Sequence, residues 1–395
     1  MAVDDVLFQY NPWWESLPFL EGIRDRKYYV DQILHRLSVR GAVLLSGLRR
    51  VGKSTIMRLV AQRLIQDGVQ PNDILYVSLD DYLLRGSTIL DIVTEFRKIH
   101  THSVDNQVTL LLDEVTAQKD FHQQAKTLID RENVRIVAGA SSASLLRDQR
   151  AYLTGRSSTI EIQPLTFFEY LEFKDITVAR RDRQLLDSHF RTFIRDGGLP
   201  EHVLYPSRDY LMNLVDNIIQ KDITAFHGLK DHQIIRDYFT LLMERSGKQA
   251  SINRLGRIVG LSPDTSRRYL NFFEETFLIH LVPRHGTTNE RILSPKKVYA
   301  CDLGVKHLFI GDRDWGSYFE NYVYLRIRAR QPVSYVLTDH NELDFLTGDR
   351  TLIEAKYNAP IEGTQKQAFE DFEAKRKVLI QSVQDLPTIE RLWET

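Results

Sequence analysis

Gly47-Leu48-Arg49-Arg50-Val51-Gly52-Lys53-Ser54 fits the pattern G-x-x-x-x-G-K-[ST], and it constrains the fold more than any other stretch of the 395 residues. The run before it, Ala42–Ser46, is aliphatic. The stretch after it, Lys53–Gln66, is amphipathic at helical spacing. A buried strand, a glycine turn and a helix in that order build a cradle for phosphate. Gly47 and Gly52 let the backbone curl with its N–H groups pointing inward, beside the positive end of the helix. Lys53 brings a positive charge to the β- and γ-phosphates, and the Ser54 hydroxyl is an oxygen ligand for Mg²⁺. Gly47 to Gly52, with Lys53, Ser54 and Thr55, are therefore the expected contacts to ATP.

Further aliphatic runs follow at Ile74–Leu79, Val108–Leu112, Arg135–Gly139 and Thr159–Ile162, with longer amphipathic stretches between them. Short continuous runs suit strands buried on both faces, and the helices supply right-handed crossovers. The expectation is an α/β fold with a parallel sheet over residues 1–165. Past Pro164 the period becomes helical to about Leu242, broken at Asp196-Gly197-Gly198-Leu199-Pro200, which reads as a helix-to-helix turn. Residues 243–312 hold a short helical cluster and then alternating residues. Residues 313–395 read as a helix (Trp315–Ala329), three strands (Val333–Thr338, Glu342–Leu346, Leu352–Lys356), a helix (Glu362–Lys375) and a strand (Lys377–Ile380).

Charge narrows little: 52 Lys+Arg against 53 Asp+Glu leave a net charge of −1, so contact with nucleic acid would need a local basic patch. Cys301 is the single cysteine, which excludes an intramolecular disulfide and disfavours a cysteine zinc site. The acidic start Met1-Ala2-Val3-Asp4-Asp5 is unlike a signal peptide, and no window holds 18 uninterrupted apolar residues. A cytoplasmic protein without a membrane span is expected.

A phosphate loop calls for a second acidic motif at another strand end. Val108-Thr109-Leu110-Leu111-Leu112-Asp113-Glu114 provides it, with Asp113 placed to hold Mg²⁺ through a water and Glu114 to act as general base. The next run ends at Ala140-Ser141-Ser142, where Ser141 is placed to sense the γ-phosphate or orient the lytic water; capping of a helix by Ser141 or Ser142 reads almost as well. Arg156, in Leu153-Thr154-Gly155-Arg156, is the candidate positive charge for the γ-phosphate.

Phosphate loop, Asp-Glu strand end, polar strand end, arginine and helical lid stand in the order of an AAA-type ATPase, which these residues resemble. Asn11-Pro12-Trp13-Trp14, Leu48-Arg49-Arg50-Val51, Ser141-Ser142 and Gly155-Arg156 resemble one prokaryotic branch of that family, whose C-terminal domain has no assigned function. The resemblance implies oligomers, because such ATPases complete a site with a neighbour's arginine.

Two segments bear on nucleic acid. Ile252–Gly260, then Leu261-Ser262-Pro263-Asp264-Thr265-Ser266-Arg267-Arg268-Tyr269-Leu270, resemble a helix-turn-helix, with Ser262 as N-cap and Pro263 in the first turn. The alternating residues after Phe277 would form a wing, and Arg254, Arg257, Arg267 and Arg268 are the expected DNA contacts. In the last segment Glu320, Asp344, Glu354 and Lys356 have the spacing of a metal-dependent nuclease. The hairpin turn Thr347-Gly348-Asp349-Arg350 would bring Glu354 and Lys356 onto the face of Asp344. The element order resembles a restriction-endonuclease-like core, although Leu343 stands where that core usually has proline. Glu342 reads as a solvated neighbour.

The resulting expectation is a Mg²⁺-dependent, DNA-associated, oligomeric ATPase with a winged-helix domain and a nuclease-like domain. The alternatives are a slow nucleotide switch that gates a protein partner or a defence response, and an ATP-regulated nuclease.

Overall fold

Ala42, Val43, Leu44 and Leu45 present no polar side chain, so a strand made of them needs cover on both faces and partners on both edges. In the computed structural model, which describes residues 3–20, 22–38, 41–118, 120–141, 155–229, 231–338 and 341–393, it has both. Strand β1 (Ala42–Ser46) lies between β4 (Val134–Gly139) and β5 (Ser157–Glu161). Outward from β4 follow β3 (Val108–Asp113) and β2 (Ile74–Ser78), giving the order β2-β3-β4-β1-β5 with every pairing parallel. Each expected strand of this sheet is present, with ends moved by one or two residues, and the helix Lys53–Gln66 has the expected bounds.

The outer edge of β2 is closed by side chains. Asn11 is fully buried. Its Nδ2 donates to the carbonyl of Tyr76 (2.9 Å) and its Oδ1 accepts from the Tyr76 N–H (2.6 Å), so one amide replaces a neighbouring strand. The indole N–H groups of Trp13 and Trp14 both donate to the carbonyl of Ile74, at 3.2 and 2.9 Å. The Asn-Pro-Trp-Trp signature thus satisfies backbone groups that would otherwise form an open sheet edge.

The chain divides into residues 1–163 and 164–395. In the second unit the segments expected as lid, wing and C-terminal domain contribute to one core: Phe167, Phe190 and Phe193 pack in the same cluster as Tyr299, Tyr322, Phe345 and Ile353. The helices of the segment expected as a lid include Phe167–Phe173, Leu185–Asp196, Arg208–Asn217 and His232–Glu244, and a π-helix covers Ile218–Ala225. Gly197 (φ +74°) ends Leu185–Asp196, Pro200 opens the next helix, and the Gly198 N–H donates to buried Asp302 Oδ2 at 2.7 Å. The glycine-proline break is a helix-to-helix turn, as expected.

Helices Ile252–Ile258 and Pro263–Glu275 cross closely: a Cβ on Gly256 would lie 2.1 Å from Ser266 Oγ. They adjoin a small antiparallel sheet, order β6-β8-β7, of β6 (Gln249–Ala250), β7 (Ile279–Val282) and β8 (Lys296–Ala300). The last segment opens with helix Trp315–Arg328 and holds a sheet of order β12-β11-β10-β9. Its strands are β9 (Val333–Leu337), β10 (Glu342–Thr347), β11 (Thr351–Ala355) and β12 (Arg376–Ile380). Only the β11–β12 pairing is parallel. Helices Leu303–Ile310 and Leu386–Arg391 were not foreseen; both are short. No helix among the described residues is long and apolar enough to cross a membrane.

Lys306 is almost fully buried in this unit, donating to the Ser317 carbonyl (3.0 Å) and Oγ (2.5 Å). Burial draws its pKa down to about 7, against the pull of Glu320 and Asp314 toward the charged form. Since the unfolded lysine keeps its proton to higher pH, the unfolded state binds more protons between these values and stability must rise with pH across that window. Wild type should gain stability over Lys306→Met as pH climbs above 7, by at most about 1.4 kcal/mol per pH unit; urea unfolding of both chains at several pH values measures this.

Candidate functional site

Parallel strands deliver their C-terminal ends to one edge, the usual place for ligands in such sheets. β1 leads there into the phosphate loop, β3 ends at Asp113 and β4 leads to Ser141. Gly47 (φ +140°) and Gly52 (φ +97°) take backbone conformations unfavourable to other residues, and Arg50 (φ +66°) shares that strain. A Cβ at Gly47 would lie 2.3 Å from the Ile162 carbonyl oxygen, so glycine is also required by contact. Leu48 and Val51 are buried and anchor the loop, whereas Arg49 is half-buried and Arg50 exposed.

Lys53 is buried at 6% exposure, and its Nζ donates to the carbonyl oxygens of Gly47 (2.9 Å) and Leu48 (3.0 Å), which keeps the ammonium inside its own loop. Ser54 follows on the exposed side of the helix, with Thr55 half-buried beside it.

Asp113 is buried and held by two donors, the Tyr76 hydroxyl to Oδ2 (3.0 Å) and the Glu114 N–H to Oδ1 (3.0 Å). Burial, then the Asp113 charge, push the Tyr76 phenol up, so it remains a donor. Gly139 on β4 makes room for this carboxylate: a Cβ there would come 2.8 Å from Asp113 Oδ1 and 2.5 Å from Met57 Cε. Glu114 adopts a left-handed backbone (φ +47°) and accepts from Ser141 Oγ at 3.3 Å. Burial raises its pKa, while Lys53 and Arg49 pull it back. The set fits a magnesium nucleotide: glycine-built loop, buried lysine, exposed hydroxyl and two adjacent carboxylates of different environment. Ser142, Leu153 and Thr154 lie outside the described residues.

Arg156 does not join this set. It precedes β5 and its carbonyl accepts from the Ala42 N–H, which places it at the N-terminal ends of the strands. The strand between that end and the phosphate loop spans about 16 Å, and the guanidinium is engaged by Asp130. Arg156 cannot serve the phosphate loop of its own chain, because parallel strands put these two positions at opposite ends.

The other expected clusters lie in the second unit. Arg254, Arg257, Arg267 and Arg268 are all exposed on the helix pair, and Arg267 makes an ion pair with Asp264 at 3.3 Å. Glu320, Asp344, Glu354 and Lys356 do come together, but around a residue that spacing did not flag. Lys297, from β8, is 1% exposed, and its Nζ lies 3.0 Å from Glu320 Oε1, 2.6 Å from Glu342 Oε1 and 3.5 Å from Asp344 Oδ1. Glu342 is therefore no solvated bystander; its Oε2 also accepts from Gln249 Nε2 (2.7 Å).

The other oxygens of Asp344 and Glu354 are engaged as well. The Asp344 N–H donates to Glu354 Oε2 (3.1 Å) and the Ala355 N–H to Asp344 Oδ2 (3.0 Å), while Glu354 Oε1 receives Lys356 Nζ (2.9 Å) and Gln365 Nε2 (2.5 Å). The β9–β10 register shifts between Leu343 and Leu346, next to Asp344. Burial pushes Asp344 up to about 6 and raises Glu320 as well. Burial alone would depress Lys297, but Tyr299, Glu320, Asp344 and Glu342 outweigh it and keep the lysine charged. Among the described residues, no group of three or more His, Cys, Asp or Glu is disposed to hold a metal ion. The Mg²⁺ implied by the nuclease-like spacing does not fit, because an ammonium stands among its ligands.

Loss of the buried Lys53 charge should remove nucleotide binding without unfolding the chain. Titration of Lys53→Ala with a fluorescent ATP analogue should show affinity lowered at least about tenfold, equivalent to about 1.4 kcal/mol.

Residues 39–171 match a family described as "AAA domain", and residues 187–315 match a domain of unknown function (DUF8612). The chain is 25% identical over 321 residues to the uncharacterized protein MJ1544 of Methanocaldococcus jannaschii, covering 77% of this chain and 71% of that one. An uncharacterized protein of Haemophilus influenzae is 24% identical over 334 residues, covering 81% and 83%. Among solved structures, the Walker-type ATPase PABY2304 of Pyrococcus abyssi is similar at a TM-score of 0.47 and 12% identity, over 75% of this chain and 99% of that one. Residues 39–171 are thus similar in sequence to an AAA domain.

Proposed function

We propose that this protein is a Mg²⁺-dependent ATPase whose AAA domain hydrolyses ATP to drive an action on DNA. The observation that carries this reading is the arrival of Lys53, Asp113, Glu114 and Ser141 at one edge of the parallel sheet. The loop from Gly47 to Gly52 would bind the phosphates through its N–H groups, and Ser54 and Asp113 would hold the metal. Mg²⁺, when bound, neutralises charge on the phosphate oxygens. Lys53 leaves the Gly47 and Leu48 carbonyls to meet the phosphates. Glu114 accepts the proton of the attacking water: burial raises its proton affinity, and Ser141 fixes one carboxylate oxygen. Tyr76 keeps Asp113 oriented.

DNA is proposed as the substrate because the helix pair exposes Arg254, Arg257, Arg267 and Arg268 while the whole chain is near neutral. In this reading residues 166–242 are the lid, 243–312 a winged-helix module and 313–395 a restriction-endonuclease-like core without a divalent metal. The protein assembles with itself, and Arg156, unable to reach its own phosphate loop, is the arginine offered to a neighbour.

The test is steady-state ATP hydrolysis with Mg²⁺, alone and with single-stranded, duplex and branched DNA. At least one DNA form should stimulate wild type several-fold, and Arg267→Ala/Arg268→Ala should lose the stimulation while keeping the basal rate. Slow turnover indifferent to all DNA would make the protein a nucleotide switch for a protein partner instead. Light scattering should show oligomers favoured by ATP; a monomer with and without ATP would remove the neighbour's arginine from the mechanism.

A further inference from the structure

We infer that Lys297 is the resident cation of the C-terminal acidic cluster: its ammonium fills the place of a divalent metal among Glu320, Glu342 and Asp344, so this core binds no metal there until the lysine is removed. The inference is independent of the ATPase reading, since it concerns only residues of the second unit.

Three observations carry it. First, Nζ lies within 3.5 Å of one oxygen from each of three carboxylates that come from helix Trp315–Arg328 and from β10, at 1% exposure of the whole residue. One buried ammonium among converging acids supplies the charge that would otherwise have to come from an ion. Second, most of the carboxylate oxygens already have donors. Both oxygens of Glu342, Asp344 and Glu354 are engaged by Lys297, Gln249, Lys356, Gln365 or backbone N–H groups, and the Tyr299 hydroxyl donates to Glu320 Oε1 at 2.6 Å. A divalent ion, which prefers six or more oxygen ligands, would have to displace the lysine and strip several of these bonds.

Third, the lysine is delivered by a strand of a different segment, paired on both edges. β8 pairs with β6 and β7, and Gln249, directly opposite Lys297 in the ladder, reaches Glu342 as well. Two neighbouring side chains of the small sheet therefore enter the acidic face of the larger one, and the cation ties the helix-pair module to the C-terminal core. A metal-dependent nuclease of this geometry keeps its acids open to an ion; here the same acids are spent on holding two segments together.

The test measures Mn²⁺ binding to the nucleotide-free full chain by electron paramagnetic resonance, with Asp344→Asn as the reference that marks the cluster. Wild type and Asp344→Asn should bind Mn²⁺ alike, whereas Lys297→Met should gain one site per chain, at least tenfold tighter than any in wild type and lost in Lys297→Met/Asp344→Asn. Mn²⁺ should also raise the melting temperature of Lys297→Met and leave that of wild type unchanged. A wild-type site that disappears in Asp344→Asn overturns the inference, as does a folded Lys297→Met that gains none. Should Lys297→Met not fold at all, even with Mn²⁺, the comparison of wild type with Asp344→Asn decides alone, and metal-dependent DNA cleavage by wild type that Lys356→Ala abolishes would likewise overturn it.

Discussion

The common direction of five strands is the constraint on which the first unit depends. Every pairing in the sheet β2-β3-β4-β1-β5 is parallel, so each strand releases its following residues at the same edge. The phosphate loop, the Asp-Glu pair and Ser141 become neighbours although they lie tens of residues apart in sequence. The same geometry separates what sequence order places close together. Arg156 is a few residues from the end of β5, yet it stands at the opposite end of the strands from the loop.

A chain of satisfied polar groups runs from the sheet edge to the site. Asn11 pairs with both backbone groups of Tyr76, and the Trp13 and Trp14 indoles cover Ile74. Tyr76 in turn donates its hydroxyl to Asp113. Burying β2 without such partners would leave backbone donors and acceptors unmet at about 1–3 kcal/mol each. The N-terminal signature thus has a structural explanation that also reaches the acid expected to hold the metal.

In the second unit the corresponding organiser is a buried charge. Gathering the ionised acids of β10, β11 and helix Trp315–Arg328 away from water is costly without a cation. Lys297 supplies it from another segment, and Lys356 supplies a second at Glu354. What looks from spacing like a catalytic constellation is also, physically, a way to join two layers.

The sequence alone determined what short-range patterns encode: five aliphatic strand runs, the glycine loop with its helix Lys53–Gln66, the Asp113-Glu114 strand end, the helix pair behind the Ser262 cap, and the convergence of Asp344 with Glu354 across a hairpin. Each follows from local periodicity or from steric demands within a few residues, which neighbouring residues suffice to express. Only the tertiary structure decided that Arg156 faces away from the loop, that Glu342 is engaged, and that Lys297 stands among the acids. Those outcomes depend on strand direction and on which segments pack together. Lys297 in Lys296-Lys297-Val298 carries no local mark of the carboxylates it will meet, because its partners are set by long-range packing and by the cost of leaving buried charge unpaired.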